Sequence, residues 1–247
     1  MSGGLARRGH QFAKLLRLLP RAEWRRGLWH GVAASVEHRD LIAGLDLASV
    51  VDVGANIGQF SLLVAALHPQ ARIFAFEPLP EAAARYERLF AGNPLVRLHR
   101  AALGPDRGTA TLHVSARNDS SSLLPISDIQ SRIFPGTEEV GTATVPVGPL
   151  ADFVTREALV APALLKIDVQ GFELEVLRGA EGLLDSFDWI YVEASWLALY
   201  EGQALAGDVI AFVEAQGFTR AGEYNRSEDA HGTPVQADFL FHRVSAC

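Results

Sequence analysis

Cysteine is almost missing from this chain: the only one is Cys247. An internal disulfide is therefore excluded, as are a thiolate metal cluster and a Cys-His nucleophile inside the fold, and a reducing, cytoplasmic setting is expected. No uncharged apolar stretch approaches the roughly 18 residues that a membrane span needs. Arg7 and Arg8 stand near the N-terminus, but no uninterrupted apolar segment with a small-residue cleavage site follows them, so secretion is not expected either. His-x-x-x-His and Cys-x-x-Cys spacings are both lacking, which disfavours zinc. Nothing repeats at a fixed period.

What is present describes one sizeable globular domain with an appendage. Hydrophobic residues make up 49% of the 247 and charged ones 21%, a balance that a disordered chain does not have. The formal charge of -7 is unevenly spread. Up to residue 40, Arg7, Arg8, Lys14, Arg17, Arg21, Arg25, Arg26 and Arg39 face only Glu23, Glu37 and Asp40, a net +5, which leaves -12 for the rest. An acidic body does not suit a nucleic-acid duplex, and no nucleic-acid partner is expected. In the basic segment Phe12, Leu15, Leu16 and Leu19 fall on one side of a helix while Lys14, Arg17 and Arg21 lie elsewhere around it. Residues 1–45 are thus expected to form a basic helical extension and 46–247 the main domain. The extension would dock on the body or on a second copy, or touch an anionic membrane surface. Trp24, Leu28 and Trp29 add bulky apolar groups before His38, enough for a lid over a ligand.

The main domain is organised around Val50-Val51-Asp52-Val53-Gly54-Ala55-Asn56-Ile57-Gly58-Gln59-Phe60. This is a buried strand, a glycine turn and a helix start, the junction at which parallel α/β sheets bind nucleosides. The next apolar run, Ala71 to Phe76, ends in Glu77 and Pro78, and an acid about twenty residues after the glycine turn is placed to accept both ribose hydroxyls. The glycine spacing is Gly54-x-x-x-Gly58, with Asp52 ahead of it, so a pyrophosphate would be repelled and an amino-acid ammonium attracted. S-adenosylmethionine has ribose, adenine and an amino-acid end without phosphate, and it is the expected cofactor. The stretch resembles the first motif of class I methyltransferases.

Downstream, strand and helix patterns alternate, which predicts a mostly parallel sheet covered on both faces. Pro80 to Phe90 reads as a helix and Val96 to Leu103 as a third strand, whose Arg100, Ala101 and Ala102 would lie near the adenine. Thr142 to Val147 reads as an edge strand, because Pro146 argues against a central position. The stretch from Arg117 to Gly136 is long for a connection and is expected to be an active-site loop, with Ser120, Ser121 and Ser122 offering hydroxyls to an acceptor. Phe218 to Tyr224 and Asp238 to His242 read as a terminal antiparallel hairpin.

The second informative stretch runs from Ala163 to Ala180: a buried strand ends at Asp168, Gly171 permits a turn, and Glu173 and Glu175 open a helix where its dipole favours them. Lys166-Ile167-Asp168-Val169-Gln170-Gly171-Phe172-Glu173, with Val176-Leu177-Arg178-Gly179 after it, resembles the signature of the FkbM family of S-adenosylmethionine-dependent methyltransferases, though that family more often has Glu at the position of Gln170. The resemblance covers about Val50 to Arg243. It implies a Rossmann-like class I fold with a C-terminal antiparallel hairpin, and methyl transfer, commonly to oxygen, on sugars, glycan precursors and related metabolites.

The candidate site follows. Asp52, Gly54, Asn56, Gly58, Phe60, Glu77, Pro78, Ala101, Ala102 and Asp168 would bind the cofactor, and Ser120, Ser121, Ser122 and Glu173 the acceptor. Asp168 and Glu193, at neighbouring strand ends, are the candidate general bases, with His99, His113 and His231 behind them. The same two carboxylates could instead hold Mg2+, and metal dependence stays open. Transfer to nitrogen, protein or RNA is weakened by the lack of Asn-Pro-Pro-Tyr; that reading, and a nucleoside-binding module without catalysis, stay open as alternatives.

Overall fold

The computed structural model describes residues 22–244. The amphipathic segment around Phe12 to Leu19 and Cys247 lie outside the described residues. The chain opens with α1 (Ala22–Trp29), a single turn of 3-10 helix at Val36–His38, and α2 (Arg39–Ala43). Then come β1 (Ser49–Val53), α3 (Gln59–Leu67), β2 (Arg72–Phe76), α4 (Pro80–Leu89), β3 (Val96–His99), β4 (Ala102–Leu103) and β5 (Gly108–Ser115). After α5 (Asp128–Ile133) follow β6 (Glu139–Gly148), β7 (Ala163–Ile167), α6 (Glu173–Ala180), β8 (Trp189–Ser195), α7 (Ala206–Ala215), β9 (Phe218–Glu228) and β10 (Pro234–Arg243).

Seven strands form the main sheet in the order β3-β2-β1-β7-β8-β10-β9. All neighbours are parallel except at β10, which runs antiparallel to β8 and to β9. This is the Rossmann-like α/β architecture with a terminal hairpin that the sequence predicts. β1 and β7 are buried at every position because helices cover both faces, which is why they read as unbroken apolar runs. The order reverses between β1 and β7, and an open parallel sheet has its crevice beyond the carboxyl ends at such a point.

Side chains alternate between the faces. Val51, Val53, Leu165, Ile167, Val192 and Phe239 pack under α6 and α7, with Val176, Leu177, Val209 and Val213. Val50, Leu164, Tyr191 and Leu240 face α3, and there Trp24, Val32, Ala34 and Ile42 join the same core as Phe60 and Leu63. The described part of the N-terminal segment is thus packed into the domain's apolar interior; Trp29 points out and is 94% exposed.

Two expectations about strands are corrected. The run from Val96 to Leu103 is two strands: β3 pairs with β2, whereas Ala102 and Leu103 pair with β6 in a separate three-stranded sheet of order β4-β6-β5. β6 is consequently the middle strand of that sheet and not an edge. Pro146 is accommodated there because β4 reaches only Val147 and Gly148, so Pro146 has a strand neighbour on one side alone, Thr109 of β5.

Candidate functional site

A cavity of about 690 Å³ opens at the carboxyl ends of the central strands, a volume within the range for small-molecule sites. The turn from β1 into α3 forms one wall. Gly54 has φ +75, and a Cβ on it would lie 1.8 Å from the carbonyl oxygen of Asp168. Only glycine lets the β1 and β7 termini approach this closely. Gly58, at φ +98, does not line the cavity; a Cβ there would meet the rings of Phe90 and Tyr86, so its smallness serves the packing of α3 on α4. This corrects its assignment to cofactor contact.

Asp52 is also corrected. It is fully buried and its side chain does not reach the cavity. Its Oδ2 accepts from Ser61 Oγ at 2.6 Å, and its Oδ1 lies 3.1 Å from Lys166 Nζ. The strand register explains the pairing, since Asp52 of β1 stands directly opposite Lys166 of β7. Lys166 Nζ also donates to the carbonyls of Val53 and Gly54, at 3.3 and 3.2 Å, and lies 3.8 Å from Asp168 Oδ2. Burial alone would lower the lysine's pKa, but Asp52, Asp168 and Glu193 outweigh it and raise it, so the ammonium stays charged. Lys166 therefore ties the Gly54 bend to the end of β7, and the sequence analysis missed it.

Glu77 lies at the end of β2 and lines the cavity. Its Oε2 accepts from the amide of Asn56 at 2.8 Å and its Oε1 from that of Leu79 at 2.7 Å. Burial pushes its pKa up to about 7 against these two bonds. Asn56 is held at φ 48, and its side-chain Oδ1 is buried without a partner although the residue lines the cavity. Such an acceptor is satisfied by a donor that a ligand brings. Pro78, Ala101, Ala102, Phe60 and Asp168 also line the cavity, as do Leu103, Leu112 and Phe172, which supply apolar surface.

The loop after β5 contributes Ser121 and Ser122. Ser120 is corrected: it is buried away from the cavity, with its hydroxyl donating to Asp119 and its carbonyl accepting from Tyr200. Glu173 is corrected too. It is 2% exposed, its Oε1 accepts from the amide of Gly171 at 2.8 Å, and burial raises its pKa to about 7, so it braces the turn before α6. Arg100 lies at the surface in a bidentate pair with Glu87. His99 stacks on Phe76, His113 pairs with Glu139 and His231 sits in the β9–β10 turn; none lines the cavity.

Beyond Asp168 the cavity becomes strongly polar. Gln170, at φ 60, donates from Nε2 to Asp168 Oδ1 at 2.7 Å and to Glu193 Oε2 at 3.0 Å. Gln236 donates to the other oxygen of Glu193 at 2.8 Å. Burial, then the charges of Asp168 and Asp238, raise the pKa of Glu193 well above the usual carboxylate range. An amide thus bridges the two carboxylates considered for Mg2+, and among the described residues no cluster of three or more His, Cys, Asp or Glu is arranged to hold a metal. His38, Tyr191, Asn225 and Asp238 line the cavity as well. No arginine lines the cavity among the described residues, and its lysine already faces Asp52.

Comparison with known proteins adds to this geometry. Residues 52–220 match the family model described as the methyltransferase FkbM domain. The 2-O-methyltransferase NoeI of Sinorhizobium fredii is 28% identical over 189 residues, covering 73% of this chain and 78% of the relative. The 31-O-demethyl-FK506 methyltransferase FkbM of Streptomyces tacrolimicus is 28% identical over 221 residues, covering 80% and 79%. The hexuronic acid methyltransferase AglP of Haloferax volcanii is 30% identical over 182 residues, covering 72% and 66%. No described helix is long and apolar enough to cross a membrane.

Proposed function

The chain belongs to the FkbM methyltransferase family, and from that premise we propose that it transfers the methyl group of S-adenosylmethionine to a hydroxyl of a sugar, glycan precursor or similar hydroxylated metabolite. The observation that carries the cofactor reading is that Glu77, which accepts from the backbone amide of Asn56, and the unpartnered side-chain Oδ1 of that same residue both line the cavity beside the Gly54 bend. One is a carboxylate at the ribose position, and the other is an acceptor waiting for a donor. The acidic walls support it: the carboxyl groups of Glu77, Asp168, Glu193 and Asp238 face the cavity and no arginine lines it among the described residues, which suits a cationic sulfonium with an ammonium better than a pyrophosphate.

In this reading Glu77 accepts from the ribose hydroxyls, Asn56 and Asp168 receive the amino-acid end, and Ala101, Ala102 and Leu103 form an apolar seat for the adenine. Bound there, the cofactor supplies an electrophilic methyl carbon on a sulfur that leaves uncharged. What this chain contributes is alignment and exclusion of water. Asp168, Gln170 and Glu193 form a polar surface whose carboxylate oxygens can accept from hydroxyls of the acceptor, and Ser121 and Ser122 line the same cavity. That composition suits a polyol. The names of NoeI, FkbM and AglP, which include two O-methyltransferases and a hexuronic acid enzyme, support an oxygen acceptor of this kind. The test is methyl transfer from isotopically labelled S-adenosylmethionine to a panel of glycosides, cyclitols and nucleotide sugars. Label is expected in an alkali-stable methyl ether; label found only in amines or protein contradicts the oxygen assignment.

A further inference from the structure

An alcohol is a weak nucleophile and needs a group to take its proton as the bond to carbon forms. Asp168 and Glu193 are poorly suited to this. Both oxygens of Glu193 accept from amides, and Asp168 is held by Gln170 on one oxygen and faces the Lys166 ammonium with the other. Each of the four oxygens is thus already engaged by an amide or faces a cation.

A different group lines the same cavity. His38 closes the single turn of 3-10 helix at residues 36–38, over the sheet face that carries Tyr191. Its Nδ1 lies 2.9 Å from Tyr191 Oη, 3.0 Å from Asn225 Nδ2 and 3.6 Å from Asp238 Oδ2. Tyr191 Oη donates to Asp238 Oδ2 at 2.8 Å, and Asn225 Nδ2 donates to the same oxygen at 2.7 Å. With its own hydrogen directed to Asp238, the tyrosine oxygen turns its lone pairs toward His38. Asn225 Nδ2, which can only donate, also lies 3.3 Å from Tyr191 Oη; with its second hydrogen there, Nδ1 donates to the same phenol oxygen and Nε2 keeps the lone pair, whereas a bond from Asn225 to Nδ1 would put the hydrogen on Nε2. No hydrogen bond reaches Nε2 among the described residues, and the ring lines the cavity.

The ring is also fixed in place. Phe60 and Tyr191 meet it edge-on, with centroids at 5.7 and 5.6 Å. Asn225 is held at φ 47, one of three non-glycine residues with a positive φ among those described; the other two, Asn56 and Gln170, line the same cavity. Asn225 falls in the register shift of β9 against β10 between Tyr224 and Ser227, and that irregularity places its amide beside Asp238. Asn225 and Asp238 come from the terminal hairpin and Tyr191 from β8, so three strands converge on one imidazole.

We propose that His38 is the catalytic base of methyl transfer, its Nε2 removing the acceptor's hydroxyl proton, with Tyr191, Asn225 and Asp238 as positioning residues. The inference rests on the methyltransferase reading above. The acceptor's O–H bond gives way to an O–C bond, the electron pair of the C–S bond leaves with sulfur, and the proton goes to Nε2 and later to solvent. The resulting imidazolium is balanced through Tyr191 by the Asp238 carboxylate. The charged and titratable groups around His38 are Asp238 on β10, Tyr191 and Glu193 on β8, Lys166 and Asp168 at the end of β7, and Glu37 on its own turn. Burial lowers its pKa below the usual 6.5, with Asp238 opposing, so the ring is a neutral base near pH 7.

The test has two arms. In the first, the full chain saturated with S-adenosylhomocysteine is labelled with 15N-histidine and titrated by NMR, the His38 signals being those that vanish in His38→Gln. The expected result is the Nδ1-protonated tautomer with a pKa below 6.5 that falls further in Asp238→Asn. An Nε2-protonated ring, or a titration that Asp238→Asn does not move, overturns the proposal. In the second, on any glycoside that the wild type methylates, His38→Gln is expected to lower kcat by about 100-fold or more while S-adenosylhomocysteine affinity changes by less than about threefold. A loss of kcat under about fivefold overturns it. If the wild type binds no S-adenosylhomocysteine at all, the methyltransferase reading fails and the role of His38 falls with it, a result distinct from normal binding with an unmoved kcat; if no glycoside is an acceptor, the NMR arm decides alone.

Discussion

Lys166 Nζ and Asp52 Oδ1 face each other at 3.1 Å across the β1–β7 pairing, both almost wholly removed from solvent. The pair joins the two strand ends between which the cavity opens. Removing one partner leaves an uncompensated buried charge, which costs about 3–5 kcal/mol. Lys166→Met is therefore expected to lower the unfolding free energy by about that amount, and Asp52→Asn by somewhat less, because Asp168 remains as a neighbour of the lysine. In the double variant most of the loss is recovered, since no charge is stranded. Urea unfolding of the four proteins checks this; strict additivity of the two losses would mean that the pair does not act as a unit.

Gly54→Ala tests the approach of β1 to β7. A methyl group would fall 1.8 Å from the Asp168 carbonyl at a backbone angle that side chains disfavour. A destabilisation of more than about 2 kcal/mol is expected. Gly182→Ala, where nothing lies within 4 Å, serves as the control and changes the thermal midpoint little.

The parts of this site that were legible in the sequence are those built from neighbours along the chain. An apolar run ending in Asp52-Val53-Gly54 and another ending in Glu77 announce strand ends at a sheet's binding edge, and Asp168 announces a third. Local pattern does not say which of two adjacent residues faces inward, so the sequence points to Ser120 beside Ser121 and Ser122, and to Glu173 where Phe172 lines the cavity. Lys166 was passed over as part of a strand, although a lysine inside Ala163-Leu164-Leu165-Lys166-Ile167 demands a buried counter-ion and could have been flagged on that ground. His38 and Asn225 were beyond reach. They are 187 residues apart, and only the pairing of β8, β10 and β9 beneath the N-terminal turn brings them to 3.0 Å. Pro146 misleads for a related reason, since β4, the strand on its other side, is too short to reach it.

Glu173 yields a prediction about pH. Its carboxyl is buried, one oxygen has no partner, and its pKa stands at about 7 in the fold against about 4.3 in an unfolded chain. A raised folded pKa means that the group's contribution is fully present below the unfolded value and is lost as pH rises toward 7. The neutral, isosteric Glu173→Gln escapes that loss. The stability of the variant relative to the parent is therefore expected to increase between about pH 4.5 and 7 and to level off above, measured by urea unfolding across pH. A difference independent of pH would contradict the placement of this carboxyl.

The account depends most on a sulfonium nucleoside occupying the bend between Gly54 and Asn56 with its ribose on Glu77. Isothermal calorimetry of the full chain with S-adenosylmethionine, S-adenosylhomocysteine and NAD addresses it directly, with Glu77→Ala alongside. Hydrogen bonds to a charged group are worth about 1.5–3 kcal/mol, so the account predicts that the first two ligands bind, that NAD gives no heat, and that Glu77→Ala weakens binding by about 10- to 100-fold while the protein stays folded. Binding of NAD in preference to S-adenosylhomocysteine, or an affinity for S-adenosylhomocysteine left unchanged by Glu77→Ala, would contradict it.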